Sequence, residues 1–74
     1  MTARVLMTLG MKCPRPLFEV HKFVKSLEKG DRVEVIADDP AFQLDIQAWC
    51  RRTGHALRDL RRDGQKIIAL IEKS

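Results

Sequence analysis

Seventy-four residues, 45 % hydrophobic and 32 % charged, can bury one small core and are too apolar to stay disordered. No apolar run approaches the roughly 18 residues of a membrane-spanning helix, and the stretch MTARVLMTLGMK has one arginine and no small-residue cleavage site, so neither a span nor a signal peptide is expected. The net charge of +4 favours acidic partners, and two cysteines with no secretion signal point to free thiols in the cytoplasm.

Arg4 to Leu9 (RVLMTL) is an apolar run of strand length that ends at Gly10. From Leu17 the period changes. Leu17, Val20, Val24 and Leu27 form the stripe of an amphipathic helix, with Phe23 beside it and Glu19, Lys22, Lys25, Ser26 and Glu28 mainly opposite. Gly30, after the basic Lys29, reads as the C-terminal signal of that helix. Arg32 to Ala37 (RVEVIA) has the β-branched content of a strand. Asp39 as N-cap and Pro40 at the first helical position then open a second helix. It carries Phe42, Ile46, Trp49 and Thr53 on one face, with Cys50 adjacent, and ends at Gly54. His55 to Arg62 alternates weakly, Asp63-Gly64 is a hairpin signal, and Lys66 to Glu72 (KIIALIE) is a strand.

The order β-α-β-α-β-β over residues 1–74 predicts one domain, a two-layer α/β (α+β) sandwich. Strands one and two form a parallel pair joined by a helical crossover. The last two strands form an antiparallel hairpin, completing a four-stranded mixed sheet with both helices on one face.

The chemistry concentrates in MKCPRP, residues 11 to 16. With Cys13 as N-cap, Pro14 and Pro16 take the first and third helical positions, where a missing N–H sacrifices no helix bond. The N–H of Arg15 is left as the natural donor to the sulfur. The positive end of the helix, with Lys12 and Arg15 alongside, predicts an exposed thiol of lowered pKa. Cysteine is also a poor cap compared with Ser, Asp or Asn, which favours a reactive role over a purely structural one. His21 lies eight residues on, roughly 12 Å along the helix, too far to serve as a base. Without a CxxC pair a self-contained dithiol couple is disfavoured. A thiol that receives a group from one protein and gives it to another remains.

The sequence resembles the TusA/SirA-like sulfur carriers, marked by a CPxP motif at the first helix. The resemblance runs through Leu9-Gly10-Met11-Lys12-Cys13-Pro14-Arg15-Pro16, Gly30, Asp38-Asp39-Pro40, Asp45-Ile46, Trp49-Cys50 and Thr53-Gly54-His55 to the final hairpin. It implies that Cys13 carries sulfane sulfur as a covalent persulfide, with no other cofactor, in a site framed by Gly10, Lys12, Pro14, Arg15 and Pro16. A cysteine desulfurase or rhodanese-like protein would supply the sulfur, and a DsrE-like or other protein would accept it. The routes open to such a relay are tRNA thiolation, sulfur oxidation and cofactor sulfuration. Met7 and Arg15 stand where relatives often carry acids, which makes the surroundings more basic.

Cys50, on or near the core face, reads as a buried structural thiol. Asp38 reads as a strand end and Asp45 as a solvated charge on the exposed half of the second helix, able to touch a partner. His21 and His55 match no zinc-finger spacing with the cysteines. Arg51, Arg52, Arg58, Arg61, Arg62 and Lys66 would suit RNA, yet with no Tyr, and with one Trp and three Phe mostly accounted for by the core, stacking platforms are missing. The expectation is a monomer without direct nucleic-acid or membrane binding. The competing function is a regulatory or nucleic-acid-binding module in which Cys13 only caps a helix.

Overall fold

The computed structural model describes residues 3–74; Met1 and Thr2, the start of the stretch read for a leader, lie outside the described residues. Six elements follow in the expected order: β1 (Ala3–Met7), α1 (Arg15–Lys25), β2 (Arg32–Ala37), α2 (Phe42–Thr53), β3 (Ala56–Asp63) and β4 (Lys66–Glu72). They form one four-stranded sheet in the order β1-β2-β4-β3. β1 runs parallel to β2, and β4 is antiparallel to both β2 and β3.

Alternation along the strands decides which face is covered. Val33, Val35 and Ala37 of β2 and Ile67, Ala69 and Ile71 of β4 are buried. The helices pack on that face, contributing Val20 and Val24 from α1 and Phe42, Ile46, Trp49 and Cys50 from α2. Glu34 pairs with Leu70 and Ile36 with Ile68 on the opposite face.

Boundaries differ from the sequence-based expectation in instructive places. β1 stops at Met7 rather than Leu9, although Thr8 continues the contact by donating both its N–H (2.8 Å) and its hydroxyl (2.9 Å) to the Ile36 carbonyl. α1 ends at Lys25, because Ser26 turns back and donates its N–H and its hydroxyl to the Phe23 carbonyl. Leu27 still joins the core from the turn beyond. Gly30 therefore belongs to the turn before β2, where its N–H donates to Lys73 O at 2.8 Å, and does not cap the helix.

α2 begins at Phe42 with Ala41 as N-cap, two residues past the expected Asp39 cap. Asp39 nevertheless closes the turn, its carbonyl accepting from Phe42 N–H at 2.9 Å and its Oδ1 from Ala41 N–H at 3.2 Å. Thr53 is exposed rather than on the core face, since its hydroxyl donates to Trp49 O at 2.8 Å. Gly54 ends α2 as expected, at φ 83°, a left-handed conformation that glycine adopts without strain. β3 and β4 meet across the two-residue loop Gly64-Gln65, with Asp63 paired to Lys66 and a bulge at Arg58, between Leu57 and Asp59.

Candidate functional site

Three segments converge on Cys13: the loop after β1, the connection from β2 to α2, and the first turn of α2. Asp38, at the end of β2, holds the first of these. Both its carboxylate oxygens accept from Gly10 N–H, at 3.0 and 3.1 Å. Gly10 sits at φ 80°, where a side chain would strain the backbone. Asp39 holds the second, its Oδ2 accepting from Cys13 N–H at 2.6 Å while Oδ1 stays with Ala41. One carboxylate thus fastens the cysteine backbone to the start of α2. Charge-assisted bonds of this kind are the shorter, stronger class.

The cap differs from the expected one. The helix starts at Arg15, with Pro14 as N-cap and Pro16 in the first turn, so Cys13 stands one residue outside. Arg15 N–H does not reach the sulfur; it donates to Lys12 O at 2.9 Å and closes a turn ahead of the helix. Phe18 N–H then donates to Pro14 O at 3.2 Å. The Cys13–Pro14 peptide is cis. Both prolines still occupy positions with no helix bond to lose.

The electrostatics also depart from expectation. Cys13 is half-buried against the core, and its thiol pKa is raised to about 12 rather than lowered. Burial contributes most, followed by hydrogen bonding to and the negative charge of Asp45, and then Asp39. Every cause of the shift raises it, so the lowering expected from the helix start, Lys12 and Arg15 is not found. Asp39 itself lies below the usual carboxylate range, chiefly because the N–H groups of Cys13 and Ala41 donate to it, with Lys12 adding its charge. At rest the site is a protonated thiol facing carboxylates.

Beside it, a cleft of about 530 Å³ opens between the helices, lined by Pro14, Leu17, Phe18 and His21 of the α1 side and Asp45, Trp49 and Arg52 of α2. Asp45 is half-buried here, not a solvated charge on a free face. Phe18 on the cleft wall and Leu44 on α2 have relative exposures of 62 % and 73 %, high for large apolar side chains. Lys12 and Arg15 are exposed near the thiol, Pro14 is exposed on the cleft wall, and Pro16 is buried beneath the first turn.

The remaining candidates fall elsewhere. Cys50 is buried in the core, and burial pushes its thiol up to about 11. His55 packs against Trp49 with the rings tilted by 34° and their centroids 5.4 Å apart, and its Nδ1 accepts from Ser74 N–H. Of the basic residues in the second half, Arg58 pairs with Glu72, and Arg61 with Asp59 and Glu34. Sequence reasoning missed the convergence of Asp39 and Asp45 on the thiol. The available signal was their placement on either side of a helix start, the end where acidic residues gather.

This arrangement is that of a small α+β domain with a cysteine held at the start of its first helix. The sequence matches the family described as "Sulfurtransferase TusA" over residues 4–73, and the chain belongs to that family. An Aquifex aeolicus (strain VF5) protein named "Putative sulfur carrier protein" is 32 % identical over 71 residues, which span 96 % of this chain and 36 % of the Aquifex protein. The chain thus covers about a third of that relative's length. The crystal structure of a SirA-like protein from Desulfitobacterium hafniense superposes with a TM-score of 0.81 at 25 % identity, over 96 % of each chain.

Proposed function

We propose that the chain is a sulfur carrier that accepts sulfane sulfur as a persulfide on Cys13 and passes it to a downstream acceptor protein. The observation that carries this reading is the contrast between the two thiols. Cys50 is packed among the core side chains at 5 % exposure, at the floor of an open pocket lined by Gln47, Arg51, His55 and Leu57, whereas Cys13 is half-buried just ahead of a helix start beside an apolar-rimmed cleft. In loading, the Cys13 sulfur attacks the outer sulfur of the donor's persulfide and the donor S–S bond breaks. The departing donor thiolate receives the proton that Cys13 gives up, leaving a donor thiol and a Cys13 persulfide.

Family membership and the name of the Aquifex relative support the carrier role. The donor is a cysteine desulfurase or rhodanese-like protein and the acceptor a DsrE-like or comparable protein, meeting in the cytoplasm. Both transfers are cysteine-to-cysteine exchanges, so the exposed Phe18 and Leu44 suit contact with protein partners. The test is intact mass after incubation with a cysteine desulfurase and cysteine. The wild type is expected to gain one reductant-sensitive sulfur and Cys13→Ser none; equal gain in both would overturn the proposal.

A further inference from the structure

The two strands that border the sheet are built differently. β3 carries charge at Arg58, Asp59, Arg61, Arg62 and Asp63 and is interrupted by its bulge. Charges and bulges are what keep an edge strand from pairing with another chain. β1, ARVLM, has a single charge, Arg4, and its register with β2 runs unbroken from Ala3 to Met7. The direction of its backbone follows from one bond: Thr8 N–H donates to Ile36 O, so Thr8 turns its backbone groups to β2. These groups alternate in direction along a strand. Arg4 and Leu6 therefore share that side, and Val5 and Met7 aim their N–H and C=O out from the sheet edge. Leu6 packs against the core, so Val5 and Met7 place their side chains on the opposite face, where they are 55 % and 54 % exposed. Ile36 and Ile68 carry that apolar face inward. A row of free backbone donors and acceptors is matched only by another extended strand.

We propose that β1 pairs antiparallel with β1 of a second copy about a two-fold axis at Leu6, extending the sheet across both molecules. The occupant follows from the fit of the strand to itself. With Leu6 opposite Leu6, each Val5 stands opposite the other copy's Met7, and the two residues exchange both backbone bonds. Apolar side chains then meet along the open face. Each Arg4 falls opposite Thr8 at an outer end of the pair, which keeps the two like charges apart. Centring the pair on Val5 brings the arginines nearer, and centring it on Arg4 sets them face to face. A foreign strand has to bring a matching apolar pair, whereas a second copy supplies it by symmetry. Two short edges make a small interface, so the association is weak, with a dissociation constant on the order of 100 µM. It replaces the monomer expected from the sequence and is independent of the carrier role.

The test is sedimentation equilibrium of the whole chain from about 10 µM to about 1 mM, with amide exchange read by NMR at both ends of the range. The wild type is expected to pass from monomer to dimer, and the outward amides of Val5 and Met7 to gain protection as it does. Val5→Pro removes an N–H that points away from β2, so the sheet of the single molecule loses no bond while the pair loses one from each copy. Its dimerisation is expected to weaken about tenfold or more, with the thermal midpoint of the dilute protein held. Val5→Lys keeps the N–H and charges the edge; it is expected to weaken the dimer as strongly, and it reads the same interface should the proline variant fail to fold. A chain that stays monomeric, with Val5 and Met7 exchanging equally fast at every concentration, overturns the proposal and leaves the edge to a strand of another protein. A dimer that Val5→Lys leaves intact also overturns it, because another surface then holds the copies together.

Discussion

Asp39 does at one position what the sequence suggested would take two. Its Oδ1 closes the turn into α2 and its Oδ2 reaches 26 positions back to Cys13 N–H. A capping signal is readable locally because cap and helix are neighbours in sequence. The second bond is invisible to that logic, since it exists only once β1 and β2 lie side by side. The same distance hid Asp45, whose helical periodicity placed it on a solvated face while it stands half-buried across a cleft from α1. Cys13 itself was legible as a thiol at a helix start. Its raised pKa was not, because the burial that contributes most to it and the acids that add to it come from the packing of other segments. The Asp39 carboxylate is stabilised as an anion by folding, so its contribution to stability is present above the ordinary aspartate pKa of 3.8 and is lost as pH falls below it. Asp39→Ala should therefore lower the thermal midpoint at pH 7, and the gap from wild type should shrink as pH drops from about 4 towards 2. A gap that is constant across this range would show that the carboxylate charge is not what matters.

At the scale of elements, hydrophobic period was a sound guide to existence and type, and side-chain bonds near the ends moved the boundaries. The stripe Val20, Val24 and the run Phe42, Ile46, Trp49 lie in the core, as alternation in RVEVIA and KIIALIE also required. What the pattern could not see was Ser26 ending α1 through its bonds to Phe23, or the turn at Lys12 to Arg15 that delays the helix by one residue. Two phenylalanines separate packing from function. Phe42 is fully buried at the head of α2, whereas Phe18 is largely exposed on the cleft wall. Phe42→Ala should cost about 3–5 kcal/mol, a large share of a small domain's stability, seen as a matching fall in the urea midpoint. Phe18→Ala should stay within roughly 0.5 kcal/mol of wild type yet slow sulfur loading from a protein donor. If both variants lose comparable stability, the cleft wall is part of the core rather than a surface for partners.

For the molecule as a whole, the two thiols report on different depths of one cooperative fold. Burial pushes both thiols up, Cys13 to about 12 and Cys50 to about 11, so acidity does not choose between them as nucleophiles. Access does. Cys50, on the inner side of α2, is 5 % exposed and Cys13 is half-buried at the surface, so Cys13 is the more readily reached while the sheet and helices stay packed. The core that holds Cys50 is shared by β2, β4 and both helices, and full exposure of its sulfur requires that shared packing to give way. Titration with a thiol reagent at pH 8 should thus show one slow equivalent from the native protein, absent in Cys13→Ser. The second equivalent should appear only as urea is raised, with the same midpoint as the loss of helical circular dichroism. Early release of Cys50, below that midpoint, would mean that α2 detaches from the sheet before the rest unfolds. The support that Asp39 lends to Cys13 would then be lost with it, and reactivity at Cys13 should change at the same low urea concentration.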